Sequence, residues 1–309
     1  MKKKVLITGI TGQDGVFLTS QLLKSKEYDI LGTSREGSGE VFKKKLSYLG
    51  NEIKDMDNLS IKKCNLLNYK EIESLVDDFR PEYVYNLIGP GSVSESVKYP
   101  FESTNAIIES FNNLVNSFVK LTSFPYFFQT SSSEMFEDVG DKLLTEDSKF
   151  NPKTPYAVSK LYCHNMASFY KNKFDWNISC GILFNHESEF RSDQYLISKI
   201  INESINIKNG NKTKLTLGSL DLIRDWGYAG DVVDAMIRIV EAPSANNYVV
   251  GTGKGRSIKE MVSVVFNFFD LEFEEHIEID PGLLRNNEPQ QIISNPNKIN
   301  KELGWKPET

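Results

Sequence analysis

Val5-Leu6-Ile7-Thr8-Gly9-Ile10-Thr11-Gly12-Gln13-Asp14-Gly15 stands near the start of the chain and decides how the rest is read. Val5 to Thr8 make a short apolar strand. Three glycines follow at three-residue spacing, and Val16-Phe17-Leu18 to Leu22-Leu23 then carries the apolar spacing of a helix. Between a strand and a helix, that pattern is a cradle for a pyrophosphate. Gly9 permits the tight turn, Gly12 lets phosphate approach the backbone, and Gly15 lets helix and strand pack closely. The helix start adds free N–H groups and a partial positive charge. A dinucleotide is the expected ligand of this loop.

Working outward, Tyr28-Asp29-Ile30-Leu31-Gly32 is a second strand, and Ser34-Arg35-Glu36 follow where an adenosine ribose would lie. An arginine there suits a 2′-phosphate and an acid suits a free 2′-hydroxyl. Arg35 favours NADP; Glu36 keeps NAD open as the alternative. Residues 37–58 read as a helix plus loop. Ser60–Lys63, Val84–Ile88, Phe124–Gln129 and Ile178–Phe184 read as further strands, and the spaced apolar residues of 104–121 as a helix. Strands alternating with helices give an α/β fold, a Rossmann-like doubly wound parallel sheet with right-handed crossovers. Beyond residue 185 the pattern changes to helical runs near 194–208, 230–241 and 258–270 between short strands. The expected division is a dinucleotide-binding domain at 1–184 and a smaller C-terminal substrate-binding α/β lobe at 185–309. The boundary is interleaved, and a cleft lies between the two.

The chemistry concentrates between Ser131 and Lys160. With a strand at Phe124–Gln129, Ser131-Ser132-Ser133-Glu134 fall at its C-terminal end, where open α/β sheets carry their sites. Tyr156 and Lys160 share a helix face. An ammonium beside a phenol stabilises the phenolate and lowers the tyrosine pKa, which makes Tyr156 a candidate general base. Tyr-x-x-x-Lys alone describes many surface helices; the glycine cradle upstream gives it weight.

Composition narrows the class. The chain has 309 residues, 25% charged and 39% hydrophobic, with a net charge of −6. No basic stripe interleaved with aromatics points to nucleic acid. No apolar run approaches the ~20 residues of a membrane span. Without a signal-peptide pattern, and with Cys64, Cys163 and Cys180 in no metal or disulfide spacing, reduced thiols in a cytoplasm are expected. Three histidines in no ligand pattern leave no metal site to expect.

With the nucleotide loop and the Tyr/Lys helix placed, the chain resembles the extended short-chain dehydrogenase/reductases, and within them the GDP-mannose 4,6-dehydratase family. The likeness rests on Gly9–Gly15, Ser131–Phe136, Pro155–Lys160, Gly181–Ser188, Arg224-Asp225-Trp226-Gly227 and Leu303–Pro307, spread over nearly the whole chain. The Phe184-Asn185-His186-Glu187-Ser188 and Arg224–Gly227 stretches are the specific ones. The resemblance implies internal redox. Tyr156 takes the sugar 4-hydroxyl proton, Lys160 holds Tyr156 ionised, and Ser132 bonds the forming 4-keto oxygen. Glu134 then removes the C5 proton and protonates the departing 6-hydroxyl. It also implies a cofactor site of Gly9, Thr11, Gly12, Gln13, Asp14, Gly15, Arg35, Asn65, Leu66, Leu87, Tyr156, Lys160, Leu183, Asn185 and His186. The implied substrate is a GDP-sugar, held by Ser92, Ser133, Glu134, Asn185, Glu187, Arg191, Lys199, Gly218, Arg224, Arg285 and Glu288. Arg224 and Arg285 are expected to clamp phosphates, since guanidinium meets phosphate oxygens in pairs. Trp226 and Trp305 are expected to pack.

The chain departs from the family's pattern in places. Ser132 replaces a threonine but keeps the hydroxyl. Gly89-Pro90-Gly91-Ser92-Val93 replaces Ala-x-Ser-His-Val near the hexose, so the sugar differs or is mannose in an altered pocket. Glu189-Phe190-Arg191 keeps one arginine of two, Arg35-Glu36 likewise, and Asn65 replaces an aspartate. The family's helix after Trp305 lies beyond the sequence given. A 4-reductase or epimerase of the same fold is the alternative function; it needs Tyr156 and Lys160 but no base such as Glu134. Apolar Ala157, Val158, Leu161, Met166 and Phe169 on the Tyr-bearing helix are compatible with a two-fold homodimer, and the family pattern also allows a tetramer.

Overall fold

Buried strands set the architecture. The computed structural model describes residues 2–36, 39–52, 56–89, 93–138, 140–284 and 288–309. β1 (Lys3–Thr8) leads through α1 (Gln13–Ser25) to β2 (Tyr28–Ser34), and α2 (Glu40–Tyr48) leads to β3 (Leu59–Lys63). α3 (Tyr69–Phe79) precedes β4 (Tyr83–Asn86), and α4 (Val93–Lys98) with α5 (Pro100–Phe118) precedes β5 (Tyr126–Ser132). α6 (Pro155–Phe174) runs into β6 (Ile178–Leu183), followed by β7 (Asn185–Glu187), α7 (Leu196–Lys208), β8 (Leu215–Leu217) and β9 (Ile223–Tyr228). Then come α8 (Ala229–Glu241), β10 (Tyr248–Val250), β11 (Gly255–Ser257), α9 (Ile258–Phe268), α10 (Phe273–His276), β12 (Ile277–Ile279), β13 (Gln291–Ile292) and α11 (Asn297–Leu303).

Among the described residues seven strands form one sheet in the order β10-β6-β5-β4-β1-β2-β3, every neighbouring pair parallel. Val5, Ile7 and Ile30 join a core shared with α1 and α8; Leu6 and Leu31 join the opposite core, with α3, α5 and α6. Burial on both faces is why these strands read as near-continuous apolar runs. The strand order reverses between β1 and β4, and the crevice beyond their carboxyl ends receives the ligand in such sheets.

Two details differ from the sequence reading. β5 starts at Tyr126 rather than Phe124 and runs on through Ser132, so Ser131 and Ser132 are strand residues. Chain beyond residue 184 also serves the first sheet: α8 packs on α1, β10 pairs with β6, and Ile299 and Trp305 enter the α1/α8 core. The rest builds the smaller body. β9 is flanked by β7 and β13 in parallel and β11 antiparallel, and β8 pairs with β12. Its own core gathers Ile200, Leu215, Val262 and Phe266. Because β7 begins two residues after β6 ends, its pairing to β9 holds this body over the carboxyl end of the sheet. No helix among the described residues is long and apolar enough to cross a membrane.

Candidate active site

The β1–α1 loop presents backbone donors. Gly12 opens α1 with no side-chain hydrogen bond onto the first turn, so the helix N-terminus is left to a ligand. At Gly15 the close approach forbids a side chain, because a Cβ would sit 2.3 Å from the Ile10 carbonyl oxygen. These features fit a dinucleotide pyrophosphate. The loop is tied to the segment after β6: Gln13 donates to the His186 carbonyl at 3.2 Å, and Ser188 donates to Gln13 at 2.8 Å. His186 donates through Nδ1 to the Phe184 carbonyl at 2.7 Å and through Nε2 to Asp14 at 3.0 Å. Two donating nitrogens mean an imidazolium. Burial works against that charge, yet Asp14 lifts the His186 pKa; burial would raise Asp14, and His186 holds it below the usual range. Of the other expected cofactor residues, Arg35 and Asn65 are exposed, Leu66 is buried, and Leu87 and Leu183 line the cleft.

The cleft has a volume of about 290 Å³, and one wall is β5 with α6. Thr154 starts α6 by accepting from the Ala157 N–H at 3.2 Å, with Pro155 in the first turn. Tyr156, Lys160, Ser132, Ser133 and Glu134 all line this cleft, as the sequence reading requires. Ser132 is in hydrogen-bond contact with the Tyr156 hydroxyl and accepts from the Glu134 backbone N–H at 3.3 Å. Lys160, 4% exposed, donates to the Thr130 carbonyl at 3.2 Å and the Thr130 hydroxyl at 3.1 Å. Gly89 lies beside it at φ +151°, a backbone conformation that L side chains rarely adopt.

The expected pKa relation is not what the free protein displays. Burial pushes Tyr156 up to about 12, with Glu134 adding to it and Ser132 opposing it. Burial pushes Lys160 down to about 8. The ammonium is turned to Thr130 and lies 5.8 Å from the Tyr156 ring centre, so desolvation prevails over the expected stabilisation of a phenolate.

The facing wall comes from β7, α7 and β9. Arg191 pairs with Glu187 at 3.3 Å and stacks on Tyr195 at 3.6 Å. Arg224, 7% exposed, pairs with Glu288 at 2.9 Å and donates to the Ile223 carbonyl at 2.8 Å. Asp225, its neighbour, is instead held by Thr252, Gly253 and Ser294. Asn185, Glu187, Arg191, Arg224 and Glu288 thus line one cleft with the catalytic group. Lys199 and Gly218 do not: Lys199 donates to the Thr216 carbonyl at 2.9 Å, and Gly218 is pressed on the Leu283–Leu284 backbone. Ser92 and Arg285 lie outside the described residues. Tyr195, Trp226 and Thr130 line the cleft and were missed by sequence reasoning. Trp226 was expected only to pack, yet its Nε1 is buried without a partner. An aromatic inside a strand carries no mark that separates a cleft wall from a core.

Comparison with known proteins follows this geometry. A family model described as GDP-mannose 4,6 dehydratase matches residues 6–309. The chain is 32% identical over 314 residues to GDP-mannose 4,6 dehydratase 2 of Arabidopsis thaliana, covering 99% of this chain and 83% of that protein. The solved structure of dTDP-glucose 4,6-dehydratase from Bacillus anthracis in complex with NAD has a TM-score of 0.83 at 20% identity, covering 99% of this chain and 92% of that one. RMD from Pseudomonas aeruginosa, complexed with NADPH, has a TM-score of 0.79 at 21% identity, covering 100% of this chain and 93% of that one. The two structures share the fold.

Proposed function

The chain belongs to the GDP-mannose 4,6 dehydratase family, and from that premise we propose that it is a hydro-lyase converting a GDP-linked hexose to its 4-keto-6-deoxy form. The sugar is mannose or a relative such as a manno-heptose or N-acetylglucosamine. One observation carries the reading: Glu134 faces the same cleft as Ser132 and Tyr156. A reductase or epimerase needs the tyrosine and lysine but has no use for a carboxylate that takes a proton from C5.

Tyr156 accepts the 4-hydroxyl proton; Lys160, lowered by burial to about 8 and still protonated at neutral pH, would supply the charge that lets it do so once it turns from Thr130 towards Tyr156. Ser132 donates to the oxygen that becomes the ketone. That ketone acidifies C5–H, and Glu134 carries the proton from C5 to the departing 6-hydroxyl; the proton taken up by Tyr156 balances the one that C5 regains as C6 is reduced. A bound NADP would supply reversible hydride storage, taken from C4 and returned at C6. Gly9, Thr11, Gly12, Gln13, Asp14, Gly15 and the β6–β7 segment with Asn185 and His186 would hold it. Arg35, Asn65, Leu66, Leu87 and Leu183 would line the rest, and Arg35 supports NADP over NAD. Asn185, Arg191 and Arg224 would hold the GDP moiety and sugar, with Ser133, and with Ser92 and Arg285 beyond the described residues; Glu187 and Glu288, expected to meet the substrate, instead hold the two arginines in the free protein.

The test is incubation with NADP and a panel of nucleotide sugars, with products weighed by mass spectrometry. Loss of one water without net cofactor reduction is expected, and Glu134→Gln should abolish it, at least about 10²-fold. Reduction of a 4-keto sugar by NADPH, without water loss, would overturn the reading.

The same reading extends to setting and assembly. The three cysteines are buried thiols, as suits a reducing cytoplasm. On α6, Val158, Tyr162 and Phe169 are 51%, 36% and 51% exposed along one face, which supports an isologous homodimer. A monomer by sedimentation at micromolar concentration would sink it.

A further inference from the structure

Three successive residues at the end of β5 each meet a residue of α6, and the α6 residues are spaced one turn apart. Thr130 accepts from Lys160, Ser132 is in hydrogen-bond contact with Tyr156, and Ser131 Oγ lies 2.9 Å from His164 Nδ1. Ser131 and His164 are 3% and 5% exposed; Ser131 lines the cleft from β5, and His164 is not among its lining residues. The edge of the Phe150 ring system packs on the imidazole, with centres 5.3 Å apart.

The hydrogen-bond network around Asn247 fixes the tautomer. Asn247 Oδ1 accepts from the Cys180 N–H at 3.2 Å, so its amide nitrogen faces Ser168 Oγ at 3.2 Å and His164 Nε2 at 3.5 Å. An amide nitrogen only donates, so Nε2 must accept. The single proton of the neutral ring is then on Nδ1 and is donated to Ser131. Burial pushes the imidazole down to about 4, which keeps it neutral. The contrast is with His186, whose two nitrogens both donate.

We propose that His164 is a positioning residue: as the Nδ1–H tautomer it pins Ser131, and through that strand residue it sets Ser132 against Tyr156 and Glu134. Of the three strand–helix contacts, this is the one that the chemistry leaves alone. Lys160 and Tyr156 exchange protons and partners during turnover, on the dehydratase reading that this inference rests on. The Ser131–His164 bond holds β5 and α6 in register while they do.

His164→Phe keeps a ring and loses the polar contacts; His164→Asn puts an amide N–H where Nδ1–H was. On the sugar that turns over, the Phe variant should lose about tenfold in kcat with KM within about twofold, and the Asn variant should recover most of it. Ser131→Ala, which removes the same bond from the strand side, should match the Phe variant if that variant folds poorly. Nitrogen-15 NMR of the native ring should place the proton on Nδ1 at neutral pH. A proton on Nε2 overturns the proposal, as does a folded Phe variant with native kcat or an Asn variant that recovers nothing. The NMR reading needs no substrate, so a native protein that dehydrates no sugar would defeat the dehydratase reading while the tautomer still decides this one.

Discussion

On the β5–α6 wall of the cleft, polar groups rest on neutral or backbone partners: Lys160 on Thr130, Ser131 on His164, Ser132 on Tyr156. On the facing wall the two arginines rest on carboxylates: Arg191 on Glu187 and Arg224 on Glu288. The first wall holds Lys160 turned to Thr130, so the ammonium must turn back before it can serve Tyr156. The second has its arginines paired with carboxylates, and on the proposed reading an incoming diphosphate competes with them. Affinity on that side is then a difference between two similar attractions, whereas the first wall needs only a side-chain turn.

That difference can be probed through pH. His164 has a folded pKa of about 4 against 6.5 ordinarily, so the unfolded chain takes up its proton first as pH falls. Stability from this wall is complete above pH 6.5 and is lost between about 6.5 and 4, up to about 3 kcal/mol. Thermal melts across that window should fall more steeply for the native protein than for His164→Asn, which has no proton to gain. Equal slopes would mean that the catalytic wall is no more pH-sensitive than the rest. The smaller effect is on the other wall. Glu187→Gln removes the anion that Arg191 must leave, so KM for the GDP-sugar should drop about threefold with kcat unchanged. A rise in KM would show that Glu187 itself meets the substrate and that the exchange picture fails there.

The glycine loop and the apolar strands were legible because each is a local pattern, and the Tyr156/Lys160 spacing took its meaning from the glycine loop upstream. The end of β5 was not. Gln129, Thr130, Ser131 and Ser132 are polar, so hydropathy ends the strand at Gln129, yet all are at most 8% exposed. Their partners come from other elements: Asn86 donates to Gln129 at 2.8 Å, Thr130 donates to the Asn86 carbonyl at 2.9 Å, and His164 meets Ser131. Buried polar strands are invisible until such partners are known. The Arg224–Glu288 pair was hidden for the same reason: the residues were each legible as phosphate and ribose ligands, but their pairing spans 64 positions. β10, three apolar residues long, gave no sign that it would return to the first sheet.

Trp305 has a consequence for timing. It is 1% exposed in the core shared by Val5, Ile7 and α1, and its indole donates to the Asp231 carbonyl at 3.0 Å. β1 therefore waits for a side chain about 300 positions further along before its own core is closed. At synthesis rates of about 5–20 residues per second, that interval is roughly tens of seconds. Throughout it the part of the α1 core that Trp305 closes stands open.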